Sequence, residues 1–301
     1  MTSPTATKSL FTAITGRPNV GKSSLLNALV GEKLAIVTSK PQTTRTRITG
    51  ILTRGATQFV FLDTPGIHTP RTKLGQRMVQ TVEDTVGDGD VTLMVFEPYG
   101  ELTEAEQKLV DELRTAKAPA VAVVSKTDCL KRPEDLALRF EFLRALGAFR
   151  EFAGVCAQRG EGVSELLDLL EKYAAPGPHY FPDDAYTDLP EKAIVAELVR
   201  EKLLLNLRDE LPHGTAVDVE RFKERPEGDL ADIDVTIYCE KKSHKGMIIG
   251  KDGAMLKKIA TAARQDCEDF LGMRVNLQCW VKVRDDWRDN DLYLDNFGFR
   301  R

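Results

Sequence analysis

The chain has 301 residues, enough for two domains of ordinary size that each bury a core. Hydrophobic residues make up 42% and charged residues 29%, which excludes a globally disordered chain. A formal net charge of −4 excludes a protein that coats nucleic acid with its whole surface, so any such contact must be a local patch.

The first 173 residues alternate apolar strand-like runs with helical patterns, which argues for a doubly wound α/β domain with a mostly parallel sheet. Residues 10–15 read as a strand, followed by a Gly-rich turn and a helix from Lys22 to about Val30. The turn, Gly16-Arg17-Pro18-Asn19-Val20-Gly21-Lys22-Ser23, fits the phosphate-binding pattern G-x-x-x-x-G-K-[ST]. Its glycines let backbone N–H groups face phosphate oxygens, Lys22 can reach the β- and γ-phosphates, and the Ser23 hydroxyl can ligate Mg²⁺. Asn19, Val20, Gly21, Lys22, Ser23 and Ser24 are therefore the expected phosphate contacts, helped by the positive end of the helix.

Strands are expected at 46–53 and 58–62, joined by a turn at Arg54-Gly55. Asp63-Thr64-Pro65-Gly66 follows the second, so Asp63 would hold a Mg²⁺ water and the Gly66 N–H would meet the γ-phosphate. Asp84-Thr85-Val86-Gly87 has the same D-x-x-G spelling but follows no strand, and position selects Asp63. Solid apolar runs at 91–96 and 120–124 suit strands covered on both faces, with a helix at 103–116 between them. After the second run comes Ser125-Lys126-Thr127-Asp128, whose Asp128 carboxylate could accept hydrogen bonds from guanine N1–H and N2–H₂. Adenine has no such donors on that edge, which disfavours an ATPase of the same fold.

Residues 174–190 hold four of the fourteen prolines and are expected to be an extended linker. Beyond it, a helix at 191–209, strands at 216–222 and 233–239, a helix at 254–270 and a strand at 274–283 suggest an α+β domain over 191–301. Gly250-Lys251-Asp252-Gly253 has the G-x-x-G form of a KH domain, a loop between two helices, and a helix before it as well as after it completes the order α-β-β-α-α-β of the type II fold. Residues 241–258 carry six lysines against one acid, Asp252, so positive charge is focused on this loop. Lys245, Ile249, Gly250, Lys251, Asp252, Gly253 and Lys257 are the candidate RNA contacts.

Five widely spaced cysteines without a C-x-x-C pair suggest neither a disulfide framework nor a zinc site, and fit a reduced cytosol. Residues 1–10 have no signal-peptide core, and the apolar runs fall far short of the ~20 residues of a membrane span. No transmembrane segment is expected.

The spellings GRPNVGKSSLLNALVG, KPQTTR, DTPGIH, GPHYFPDD, AELVREKLL and GMIIGKDGAMLKKI together resemble the Era family of ribosome-assembly GTPases over nearly the whole chain. The resemblance implies GTP hydrolysis with GTP or GDP and Mg²⁺ as ligands. It implies binding near the 3′ end of 16S ribosomal RNA during 30S subunit assembly, by a monomeric cytoplasmic protein that can associate peripherally with the inner membrane. Within 40–46 it points to Thr44 rather than Thr43 as the Mg²⁺-contacting threonine. Asn19 is similar to an asparagine that ligates K⁺ in related GTPases, and can equally stabilise the loop. Ser125, Lys126 and Asp128 stand where the family has N-K-x-D, and Cys156-Ala157-Gln158 where it has S-A-[KL]. Lys126 would lie over the base and the Ala157 N–H would meet guanine O6, while Ser125 is shorter than the family asparagine. Ile67 stands where Ras-like enzymes place a water-orienting glutamine, so an RNA scaffold that binds nucleotide with negligible turnover is the alternative reading.

Overall fold

The runs at 91–96 and 120–124, in which Thr92 carries the one hydroxyl, have no polar face to offer water, and both become interior strands. In the computed structural model, which describes residues 6–40, 42–67, 70, 72–226 and 228–299, the chain forms two units. The first comprises residues 1–35, 44–69 and 78–188, and the second residues 36–43, 70–77 and 189–301.

The first unit is a P-loop α/β fold. Its elements are β1 (Lys8–Thr15), α1 (Lys22–Val30), β2 (Ile48–Arg54), β3 (Thr57–Asp63), α2 (Lys73–Asp88, whose first residues count with the second unit), β4 (Val91–Phe96), α3 (Glu104–Thr115), β5 (Ala120–Val124), α4 (Glu134–Ala145), β6 (Glu151–Gly154), α5 (Val163–Glu171) and the short β7 (Ala175–Pro176). The strands run in the order β2-β3-β1-β4-β5-β6, with β7 added antiparallel to the start of β1. Only β2 is antiparallel to its neighbour in the main row. This order places the carboxyl ends of β1, β3, β4 and β5 along one edge, where the loops of interest emerge. α3 begins at a capping box: Thr103 accepts from the Glu106 N–H and Glu106 accepts from the Thr103 N–H. Asp84-Thr85-Val86-Gly87 lies within α2, so this second D-x-x-G is helix and not a loop at a strand end.

The proline-rich stretch is extended but not loose up to Asp188, which belongs to the first unit. The Gln58 amide receives the Tyr180 and Phe181 N–H groups and donates to the Phe181 carbonyl. Ile51 N–H donates to the Tyr186 carbonyl and the Thr187 hydroxyl to the Thr49 carbonyl.

The second unit is a KH fold. α6 (Glu191–Asn206) and α8 (Ala254–Leu271) cover a sheet of β8 (Thr215–Glu224), β9 (Leu230–Cys239) and β10 (Arg274–Val283), with α7 (Lys242–Ile249) before α8 and α9 (Asp291–Asn296) after β10. β9 is central, antiparallel to β8 and parallel to β10, the type II arrangement. α6 ends three residues before the expected Asp209, because Leu207 turns to extended backbone and Asp209 is left-handed. The core joins Ile194, Leu198, Ile233, Ile237, Ile259 and Val275. All five cysteines are free thiols, and burial pushes Cys267 up to about 12 and Cys279 to about 11, so both are inert.

Candidate nucleotide and RNA sites

The turn after β1 delivers Lys22 and Ser23 at the start of α1. Lys22 is buried, and its ammonium donates to the Gly16 and Arg17 carbonyls at 3.0 Å each. Burial drives its pKa down to about 8, against the opposing attraction of Asp63 and Glu106. Ser23 Oγ lies 2.8 Å from Thr44 Oγ1 and donates to Asp63 Oδ2 at 2.8 Å. The Asp63 carboxyl is wholly buried, and that burial raises its pKa to about 6 although Lys22 and the Ser23 hydrogen bond pull it down. Its Oδ1 has no hydrogen-bond partner among the described residues. Two hydroxyls and a carboxylate with one buried oxygen to spare form a hard-oxygen donor set, which suits Mg²⁺.

Residues 64–67 run directly against the phosphate loop. Thr64 N–H and hydroxyl both donate to the Ile14 carbonyl, and Ile67 N–H donates to the Gly16 carbonyl at 3.1 Å. A Cβ on Gly66 would sit 2.7 Å from the Pro18 backbone, so only glycine allows this approach. Ile67 packs against the core of Phe96, Leu109 and Val124, which accounts for an apolar residue there.

A cavity of about 160 Å³ opens beside the phosphate loop, with Gly21, Ser125, Lys126, Asp128, Cys156 and Ala157 in its lining. Ser125 Oγ reaches the Val20 and Phe96 carbonyls, so the serine does tie β5 to the phosphate loop despite its length. Lys126, in left-handed backbone, donates to the Asn19 carbonyl at 2.7 Å and to Glu97 at 2.7 Å. Glu97 also pairs with Arg17. Burial alone would raise the Glu97 carboxyl, but Lys126 and Arg17 outweigh it and hold it below its usual range. Nothing in the local spelling singles out Glu97, which clamps two loops from the end of β4. Asp128 sits in the Thr127–Cys129 turn, where the Cys156 thiol donates to its Oδ1.

In the second unit, Gly250 to Gly253 form the link between α7 and α8. A Cβ on Gly250 would press to 2.7 Å from the Met255 Cβ, whereas one on Gly253 would meet no atom within 4 Å. The first glycine therefore serves packing, and the second leaves open space at a left-handed turn with φ +78°. Lys241, Lys242, Lys245, Lys251, Lys257 and Lys258 are all exposed, and none forms an ion pair among the described residues. Ile249 is half-buried against the core. Met247, 60% exposed on α7, is an apolar surface next to the loop that the sequence pattern did not mark.

The sequence matches the 50S ribosome-binding GTPase family over residues 11–126 and the KH domain family over residues 210–288. It is 44% identical to GTPase Era of Clostridioides difficile (strain 630), across 97% of this chain and 98% of that protein. It is 46% identical to GTPase Era of Clostridium perfringens (strain 13 / Type A), across 98% and 99%. A crystal structure of Era in complex with MgGDPNP and nucleotides 1506–1542 of 16S ribosomal RNA aligns with TM-score 0.93 and 34% identity, covering 98% of this chain and 100% of that one. A variant of Aquifex aeolicus Era bound to GDP·AlF4⁻ aligns with TM-score 0.92 and 34% identity over the same shares.

Proposed function

This chain belongs to the Era family of GTP-hydrolysing proteins, and from that membership we propose that it couples a Mg²⁺·GTP site within residues 1–173 to RNA binding by residues 191–301. The observation that carries the reading is the meeting of Ser23, Thr44 and the buried Asp63 within 2.8 Å contacts beside Lys22. Ser23 and Thr44 would hold Mg²⁺ directly, with Asp63 at their side. Bound Mg²⁺ supplies charge neutralisation at the transferring phosphoryl group. Lys22 adds a fixed cation, and the N–H groups of Asn19 to Ser24 and Gly66 orient the phosphates. Asp128 reads guanine, Lys126 covers the base and the Ala157 N–H meets O6, while Ser125 and Cys156 support them. Asn19 serves as a K⁺ ligand. Ile67 is apolar and half-buried, so another group orients the attacking water.

On the RNA side, the exposed lysines around 250–253 support contact with a sugar-phosphate backbone through Lys245, Ile249, Gly250, Lys251, Asp252, Gly253 and Lys257. The Era complex with nucleotides 1506–1542 of 16S ribosomal RNA supports a 16S rRNA target here; contact near the 3′ end and assembly of the 30S subunit are part of the proposal. In this proposal the protein is a cytoplasmic monomer with peripheral contact at the inner membrane; no described helix is long and apolar enough to cross one.

Phosphate release from GTP, with and without 30S subunits, tests turnover directly. Measurable release that responds to subunits is expected, and nucleotide binding without release would leave only a scaffold. Calorimetry should show GTP bound far more tightly than ATP.

A further inference from the structure

Residues 36–43, which lead into Thr44, are part of the second unit. Ile36 is buried in that unit's core beside Ile194 and Leu198. Two adjacent residues of α6 grip the segment at its ends. Glu201 Oε1 accepts from the Val37 N–H at 3.1 Å, and the Arg200 guanidinium donates to the Thr43 carbonyl. Lys40 adds a bond to the Leu207 carbonyl, and Thr43 Oγ1 bonds to the Lys40 carbonyl at 2.7 Å.

Arg200 is only 2% exposed, and a buried cation is costly unless it is paired. Its Nε donates to Glu197 Oε1 at 2.7 Å and its Nη2 pairs with Oε2 at 2.5 Å, which fixes the plane of the guanidinium. That carboxylate leaves Nη2 directed at Thr43, a neutral carbonyl that does little to offset the charge. A surface arginine would serve α6 at less cost, so the burial is tied to the carbonyl it holds.

The Thr43 carbonyl and the Thr44 N–H belong to one planar peptide group and point in opposite directions. Holding the carbonyl therefore sets the direction of the N–H and the starting point of the Thr44 side chain, whose Oγ1 lies 2.8 Å from Ser23 Oγ. We infer that Arg200 is a positioning residue for Thr44, so that α6 of the second unit sets how readily the nucleotide site accepts a triphosphate. This rests on Thr44 as the Mg²⁺-contacting threonine. A nucleoside diphosphate has no terminal phosphate for such a threonine to close upon, so its binding is indifferent to Arg200.

The test uses the full chain with two probes, Mg²⁺·GDPNP and Mg²⁺·GDP, and a thermal melt of each variant. Arg200→Met keeps the aliphatic stem but removes the donors. It should weaken GDPNP binding about tenfold, the effect of one charged hydrogen bond, and leave GDP within about twofold. Glu197→Gln leaves Arg200 in place but loosens its orientation, and should give the same split in smaller measure, about threefold. It carries the test alone if the methionine variant does not fold. GDPNP affinity unchanged in the folded variants, or falling in step with GDP, overturns the inference. Thr44→Ala separates the two levels of argument. If it loses GDPNP affinity while Arg200→Met does not, only the role of Arg200 is wrong. If Thr44→Ala binds GDPNP normally, the assignment of Thr44 fails and the role of Arg200 falls with it.

Discussion

The Cys156 thiol donates to Oδ1 of Asp128 across 3.2 Å, and both side chains line the cavity beside the phosphate loop. A thiol is a weak donor, so it fixes the carboxylate less firmly than a hydroxyl would. Cys156→Ser should tighten GDP binding by about twofold to threefold, and Cys156→Ala should weaken it by a similar factor. Calorimetry with GDP measures both. Equal affinities in all three proteins would mean that the thiol does not orient Asp128.

Asp63 has its carboxyl raised to about 6 by burial, and only the carboxylate can serve a cation. As pH falls through 6, a proton takes the place that Mg²⁺ needs. The apparent Mg²⁺ affinity of the nucleotide complex should therefore drop by up to about tenfold per unit below pH 6 and be flat above pH 7. Asp63→Asn should lose this pH dependence together with most of the Mg²⁺ effect. Magnesium titrations at pH 5, 6 and 7.5 decide it, and a flat wild-type profile would count against the assignment.

Asn19 has φ +61°, a left-handed conformation that asparagine tolerates and most residues do not. Loop shape alone could thus account for it, so the K⁺ role needs a variant that spares the backbone. Asn19→Gly adopts the same φ but carries no amide. Wild-type GTP hydrolysis should slow when KCl is replaced by NaCl, and Asn19→Gly should show little difference between the salts. The same salt response in both proteins would leave asparagine as a loop residue only.

His179 bonds through Nδ1 to Asp183 at 2.6 Å and through Nε2 to the Ala56 carbonyl at 3.1 Å. A carboxylate and a carbonyl can only accept, so this pair of contacts favours the imidazole with a proton on each ring nitrogen, the cation. Asp183 first, and the Ala56 carbonyl second, raise its pKa above 6.5. The stabilisation is complete below pH 6.5 and is lost as pH rises through the raised value. Asp183 is mostly exposed, so the effect should stay below about 1 kcal/mol. Melting curves should separate wild type from His179→Ala at pH 6 more than at pH 8.5. A difference that grows with pH would contradict the cationic histidine.

The nucleotide loop, Asp63, the interior strands and the G-K-D-G turn were legible because each depends on residues close in sequence. β4 and β5 need only their unbroken apolar runs, and the strand expected at 274–283 is β10. What escaped depends on distant partners. Glu97 looks like any acid after a strand until Arg17 and Lys126 converge on it. No local pattern shows that Ile36 is buried among residues some 160 positions further on. Trp287 is fully buried and donates to the Gly214 carbonyl, closing the end of the second unit in a region where the sequence offered no periodicity to read.

Gly253 gives the most direct test of the RNA site. A Cβ there meets nothing within 4 Å, so a side chain does not collide with the protein, although φ +78° adds strain of about 1 kcal/mol. Aspartate is among the residues that bear such a φ best, and it also sets a negative charge where a phosphate should pass. Gly253→Asp should therefore fold and lose most of its affinity for the 3′ end of 16S rRNA. Intrinsic GTP hydrolysis should change little, since the residue lies in the second unit, away from the phosphate loop in sequence. Gly250→Ala is the contrasting variant: its Cβ would crowd Met255, so it should lower the melting temperature as well as RNA binding. Lys251 is exposed and forms no ion pair among the described residues. Lys251→Ala should weaken binding mildly and flatten the dependence of log K on log salt by about 0.7, the share of one single-strand phosphate. Gel-shift titrations at several salt concentrations, alongside thermal melts, test all three variants. Wild-type RNA affinity in a folded Gly253→Asp protein would show that the RNA backbone does not pass over this turn.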